Sequence, residues 1–186
     1  MNSKNPLFAD NQQVSKRIND NYFSGFVDGE GCFYVGFSKR SDLPNLWQII
    51  TEFHVSQNPG SRNVLEAFKD RLRCGYLKPN HAKSTKDKTW ILIVKNRKDL
   101  REKVIPFFER HPLYTSKYKD FLVFKKTISI IEKRNHLQEE GFREIVEAVF
   151  SSNRRTNKRY TREEILSSYN PRDYTSDDAP NGASKI

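Results

Sequence analysis

Long apolar runs are missing from this 186-residue chain, and no stretch approaches the roughly 18 apolar residues of a membrane span. Its first residues, MNSKNPLFADNQQ, hold no apolar core of signal-peptide length. Neither a secretory leader nor a membrane partner is therefore expected. Cysteine is scarce: Cys32 and Cys74 stand far apart and form no CxxC pair. That excludes a disulfide scaffold and argues against a zinc site. Acid is also in deficit, with 23 Asp+Glu against 33 Lys+Arg, a net charge of +10 with the four His neutral. Such a balance favours a polyanionic partner. Aromatic surface, by contrast, is plentiful. The 13 Phe, 8 Tyr and 2 Trp are too much to leave in water, which excludes wholesale disorder. The length suffices to bury a core without staples.

Periodicity divides the rest. Residues 1–13 are polar and read as a flexible N-terminus. From Val14 an apolar rhythm of four (Val14, Ile18, Tyr22, Phe26) predicts a helix, with Asn19 or Asp20 as a cap and Gly29-Glu30-Gly31 as its end. The period then falls to two. Phe33, Val35 and Phe37 alternate with Tyr34, Gly36 and Ser38. Beyond the turn-like 41–45, Trp47, Ile49, Thr51, Phe53 and Val55 alternate with Gln48, Ile50, Glu52, His54 and Ser56. Each stretch predicts a strand with one buried face. A helix over 62–73, short strands over 75–79 and 88–94, and helices over 98–109, 116–134, 139–150 and 162–168 follow, with Pro106 expected to bend or shift the third helix. Strands with one polar face imply an antiparallel sheet covered by helices on one side, an α+β arrangement. The expected organisation is a main domain over 14–152, a basic extension over 153–169 containing the run 154–159, and a disordered tail over 170–186.

The densest signal is Tyr22-Phe23-Ser24-Gly25-Phe26-Val27-Asp28-Gly29-Glu30-Gly31-Cys32-Phe33. Small residues let two helix backbones approach closely, and glycines flanking an acid let the chain turn sharply and leave room at the carboxylate. As chemistry alone, this is a helix end presenting Glu30 at a tight junction. A glycine C-cap followed by a solvated glutamate fits the same residues.

The stretch F-S-G-F-V-D-G-E-G resembles the signature of the LAGLIDADG homing endonucleases. Cys74-Gly75-Tyr76, the segment from Pro106-Phe107-Phe108 through Leu113-Tyr114-Thr115-Ser116-Lys117-Tyr118 to Asp120-Phe121, and the stretch from His136 to Ile145 are similar to that family in the same order. The resemblance covers roughly 15–150. It implies an αββαββα core with a saddle-shaped antiparallel sheet that lies in the DNA major groove, followed here by C-terminal helices. It further implies a divalent metal, Mg²⁺ with Mn²⁺ as an alternative, held by Glu30 with the Gly29 carbonyl beside it. Gln57 then corresponds to a polar residue near the attacking water. Lys117 corresponds to a basic residue near the scissile phosphate. Where the family often carries a further basic residue four positions after Gln57, this chain has Ser61, with Arg62 next.

No second Gly-x-x-Asp-Gly-Glu-like stretch occurs. One carboxylate is a poor Mg²⁺ site, and a C₂ homodimer would bring two. Its axis is expected at Ser24, Gly25, Asp28 and Gly29, and its target is expected to be long and pseudo-palindromic. The polar side of the strand alternation nominates Tyr34, Ser38, Arg40, Gln48, Glu52, His54 and Ser56 as the face that reads bases, extended by Lys78, Asn80, Lys88 and Trp90. Lys39, Lys83, Lys86 and the 154–159 run are expected at phosphates, with Arg62 a further DNA contact. The reading is a metal-dependent endonuclease that cuts both strands of a specific double-stranded DNA site, encoded in an intron. Its setting is expected to be intracellular: a chloroplast, a mitochondrion or a bacterial cytoplasm. Two rivals share the fold: a maturase that binds its intron RNA, and a DNA-binding regulator without activity.

Overall fold

The computed structural model describes residues 18–43, 45–84, 86–152 and 159–169. Within them the chain runs α1 (Asp20–Glu30), β1 (Gly31–Lys39), β2 (Trp47–Gln57), α2 (Arg62–Leu72), β3 (Tyr76–Pro79), β4 (Trp90–Val94) and a helical run over 97–110 (α3). Then come α4 (Lys117–Glu132), α5 (Glu139–Ser151) and α6 (Arg162–Ser167). Up to α3 this is the expected αββαββα order. The four strands form one sheet in the order β1-β2-β4-β3, with β4 antiparallel to both β2 and β3.

Local chemistry explains most boundaries. Asn19 caps α1, its side chain accepting from the Tyr22 N–H at 2.8 Å. The α1 end at Glu30 passes directly into β1. Arg73 closes α2 in the left-handed region, and Gly75 holds φ +81°, where a Cβ would lie 2.7 Å from the Ile93 carbonyl oxygen. Glycine is required there both by conformation and by space. In α3 the bend expected at Pro106 takes a specific form. A π-helical turn, Leu100–Val104, closes by the Ile105 N–H donating to the Leu100 carbonyl. It stands just ahead of the proline, whose ring nitrogen has no proton to donate to the helix.

The described chain divides into two compact units: residues up to 35 together with 51–128, and 36–50 together with the residues from 129 on. The first holds a phenylalanine-rich core. Phe23 stacks on Phe68 at 4.6 Å, and Phe33 meets Phe53, Phe108, Phe121 and Phe124 at 5.1–5.5 Å. Val27, Val55, Leu65, Leu92 and Val94 fill the space around them. In the second unit Phe142 meets Phe37 at 5.9 Å and stacks on Tyr169 at 4.3 Å, while Trp47 meets Tyr160 edge-on at 4.9 Å. A capping box at Thr161 and Glu164 starts α6, and Arg162 pairs with Glu147 of α5.

The expected apolar face of α1 needs correction. Its buried residues are Phe23, Ser24 and Val27, whereas Tyr22 is 51% exposed and stacks on Phe26 outside. The rhythm counted from Val14 set the wrong phase, because the helix starts at its Asn19 cap and Val14 lies outside the described residues. The flexible and disordered ends expected over 1–13 and 170–186 also lie outside them, as do 153–158.

Candidate functional site

Glu30 is the last residue of α1, exposed, and among the described residues its carboxylate has no hydrogen-bond or ion-pair partner. The Gly31 N–H takes the Val27 carbonyl, and the later carbonyls of the helix, Gly29 among them, have no N–H further along to meet. A carboxylate and a backbone carbonyl at a negative helix end form a hard-oxygen donor set that suits Mg²⁺. The described residues contain no group of three or more His, Cys, Asp or Glu that could hold a metal.

Lys117 arrives at the same place from the start of α4. Its ammonium donates to the Gly31 carbonyl at 2.5 Å. Two residues 86 apart in sequence thus meet. Gln57 ends β2, and its side-chain oxygen accepts from the Asn58 N–H at 2.7 Å. Register places it opposite Trp90, on the helix-covered side of the sheet.

The four residues expected at a dimer axis separate into two pairs. Gly25 and Gly29 are exposed, and a Cβ on either would meet nothing within 4 Å. They lie four apart, flanked by Tyr22 and Phe26, on an open helix surface. Ser24 and Asp28 turn elsewhere, which corrects their assignment. Ser24 is buried, its hydroxyl 2.9 Å from the carbonyl oxygens of both His111 and Pro112. Asp28 accepts from the backbone N–H groups of Tyr114 at 2.7 Å and Thr115 at 3.2 Å, and from the Thr115 hydroxyl at 2.8 Å. The small and polar residues of the motif serve packing within the chain as well as an outer surface.

In the first unit the outer sheet face carries Tyr34, Glu52, His54, Ser56 and Lys78, with Asn80 continuing the ladder through its N–H to the Thr89 carbonyl at 2.8 Å. Burial pushes the Tyr34 phenol above its ordinary value, and the nearby Glu52 charge adds to this. Lys88 is exposed on the loop before β4. In the second unit Gln48, Lys39 and Arg40 are exposed and Ser38 is half-buried. Arg40 grips Asp42 with two hydrogen bonds of 2.8 and 2.7 Å, which holds the Asp42 carboxyl down at about 2.

Trp90, expected on the reading face, does not lie on it. Trp90 shares its strand side with Leu92 and Val94 and packs against the core. The Arg62 guanidinium covers it, 3.7 Å from the ring centroid, and also pairs with Glu66 at 2.9 Å. Arg62 is thereby committed to this stack. Lys88, expected on the same face, precedes the strand and carries no strand parity. Two face residues escaped the sequence reading. Tyr76, 47% exposed, stands in the row of Ile93 and His54. Lys95 pairs with Glu52 at 2.8 Å, and this bond raises its pKa. For Tyr76 the signal was present, since it stands two residues before Lys78 on the same strand; Lys95 follows the end of β4, and only its bond to Glu52 places it.

Residues 23–128 match the model of the LAGLIDADG endonuclease family. A probable intron-encoded endonuclease of Neurospora crassa is 29% identical over 131 residues, which is 70% of this chain and 28% of the relative. The chain spans about a quarter of the length of the first curated relatives it matches. Among solved structures, the homing endonuclease I-TnaI is 33% identical with a TM-score of 0.68, covering 81% of this chain and 95% of that one. The meganuclease I-SmaMI, bound to uncleaveable DNA, is 28% identical with a TM-score of 0.64, covering 70% of this chain and 43% of that one. The chain belongs to the LAGLIDADG endonuclease family.

Proposed function

We propose that this member of the LAGLIDADG endonuclease family is a site-specific, divalent-metal-dependent endonuclease acting on double-stranded DNA as a homodimer, in the intron-encoded setting of its relatives. The observation that carries the reading is the pairing at the end of α1: an exposed, unpartnered Glu30 and a lysine anchored 2.5 Å from the Gly31 carbonyl. A nuclease site needs an uncommitted carboxylate for a cation and a fixed cation for the phosphate, and Glu30, without a partner among the described residues, and Lys117 suit these two roles.

Each copy would contribute one Glu30 carboxylate and one Gly29 carbonyl, so two copies would double the carboxylates. The open Gly25 and Gly29 surface gives the two helices a route to close approach. Coverage of almost all of I-TnaI but under half of I-SmaMI fits a chain that supplies one half-site. When bound, Mg²⁺ supplies the Lewis acidity that makes water a competent nucleophile near neutral pH and neutralises charge on the departing 3′ oxygen. Lys117, held at the helix end, presents its ammonium to the charge that builds on the phosphate. Gln57 offers a carboxamide to orient the attacking water. The outer sheet face supplies donors and acceptors to base edges: Tyr34, Glu52, His54, Ser56, Lys78 and Asn80 in the first unit, Ser38, Gln48 and Arg40 in the second. Lys39 and Lys88 supply charge to phosphates.

Glu30→Gln tests this reading, because it keeps size and hydrogen bonding but removes the charge. On a labelled duplex carrying the uninterrupted host site, cleavage in Mg²⁺ should fall by at least about three orders of magnitude, several kcal/mol of barrier. Binding measured in Ca²⁺ should stay near wild type, since the reading face lies on the strands. A variant that cuts like wild type would remove the central residue of the proposal.

A further inference from the structure

We infer that Asp28 is a positioning residue, whose carboxylate sets the 114–117 segment so that the Lys117 ammonium stands at the end of α1 beside Glu30. The inference rests on the nuclease reading of Lys117 and gives Asp28 a role distinct from both metal binding and dimer contact.

Geometry separates Asp28 from Glu30. Two helix positions are about 200° of rotation apart, so the two carboxylates leave the helix on nearly opposite sides. Both oxygens of Asp28 are also engaged within the chain. One oxygen accepts the Tyr114 N–H at 2.7 Å; the other accepts the Thr115 N–H at 3.2 Å and the Thr115 hydroxyl at 2.8 Å. That hydroxyl in turn accepts the Lys117 N–H at 3.2 Å. The Lys117 ammonium then returns to the Gly31 carbonyl at 2.5 Å. The bonds close a ring between 28–31 and 114–117. Its negative charge, at Asp28, faces three donors, the arrangement that strengthens and directs hydrogen bonds.

The ring matters because lysine is a flexible point charge. Four methylenes place an ammonium reproducibly only when the backbone beneath them is fixed. Here the backbone is fixed from the helix that presents Glu30, so the carboxylate and the ammonium share one rigid reference. A threonine at 115 serves as the relay: its hydroxyl donates to Asp28 while accepting from Lys117.

The test is a double-mutant cycle with a readout that needs no DNA. Asp28→Asn keeps the volume but removes the charge and turns an NH₂ toward a backbone N–H, which can only donate. It should slow cleavage by about 10- to 100-fold, the cost of a misplacement near 1 Å, with the dissociation constant in Ca²⁺ and the dimer mass unchanged. Combined with Lys117→Ala it should cut no more slowly than Lys117→Ala alone, because both changes remove the same function. Separately, acetylation of the free protein followed by mass spectrometry should find Lys117 slower than the exposed Lys119 in the wild type. The two rates should be equal in Asp28→Asn. Thr115→Val, which leaves the carboxylate intact, should give the same rise in reactivity and serves if Asp28→Asn fails to fold. Additive losses in the cycle, or a Lys117 as protected in both variants as in the wild type, would overturn the inference. If Lys117→Ala cuts normally while Asp28→Asn still unmasks Lys117, the positioning stands and the catalytic role given to Lys117 falls.

Discussion

At the scale of single residues, two aspartates tie α1 down at its ends by different means. Asp28 works near the C-terminal end through backbone donors. At the N-terminal end Asp20 meets Arg71 of α2 with two bonds of 2.6 Å and lies 3.1 Å from the His111 ring nitrogen. The Arg71 hydrogen bond is the main cause that lowers the Asp20 pKa below its ordinary 3.8, with burial opposing it. The sign follows from linkage. A carboxyl whose pKa is depressed on folding stabilises the fold fully above its unfolded value, and that contribution disappears as pH falls through the folded value. Asp20→Asn should therefore cost about 0.5–1 kcal/mol at neutral pH, a range set by the partial exposure of the pair. Wild type and variant should converge once the pH falls below the lowered folded-state pKa of Asp20. Thermal melts of both proteins at pH 7 and in acid would show this. A difference that survives in acid would place the effect in packing instead of charge.

At the scale of elements, α1 has two working surfaces, and they respond oppositely to bulk. Its inner side is filled by Phe23 and Val27 against the phenylalanine core. Its outer side has nothing within 4 Å of a Cβ at Gly25 or Gly29. Gly25→Leu should thus leave the melting of the monomer nearly unchanged while wedging apart any partner helix laid on that surface. Sedimentation of the free and DNA-bound protein would decide it: a variant dimer as tight as wild type would show that α1 is not the axis. The same helix shows what a sequence discloses and what it withholds. In β2 every residue from Trp47 to Val55 with odd number is buried, as alternation predicts, because the strand has one dry and one wet face over its whole length. For α1 the phase was misread, since Tyr22 and Phe26 are apolar yet stack on the outside. Trp90 faces the core because it shares a strand side with Leu92 and Val94. Glu30 and Lys117 were nominated only through the family resemblance, and no local pattern predicts the bond from Lys117 to the Gly31 carbonyl across 86 residues. The partners of Asp28 were illegible for the same reason: they depend on where the 114–117 segment is folded.

At the scale of the whole molecule, the question is where the net charge of +10 resides. Many acids are spent on bases within the chain: Asp20 on Arg71, Asp42 on Arg40, Glu52 on Lys95, Asp99 on Lys103, Glu109 on Lys125 and Glu147 on Arg162. Most of these pairs are exposed and add little stability each. Their larger effect is to leave other cations uncommitted. Lys83, Lys86 and Lys88, in the loop between β3 and β4, are exposed and form no ion pair among the described residues. A loop of free lysines is suited to phosphates, which give affinity without sequence information, while the adjoining strands carry the groups that distinguish bases. Each lysine that neutralises a phosphate releases condensed counterions and steepens the dependence of affinity on salt by roughly 0.9 per contact. Replacing Lys83 and Lys86 with glutamine should therefore flatten the log–log slope by about 3.5 in a dimer, where each change counts twice. The preferred cleavage sequence should not change. Titrating one duplex over a range of KCl in Ca²⁺, and profiling cleavage on a randomised site library in Mg²⁺, separates the two effects. An unchanged slope would place the loop away from the phosphates, and a shifted sequence preference would mean that these lysines read bases.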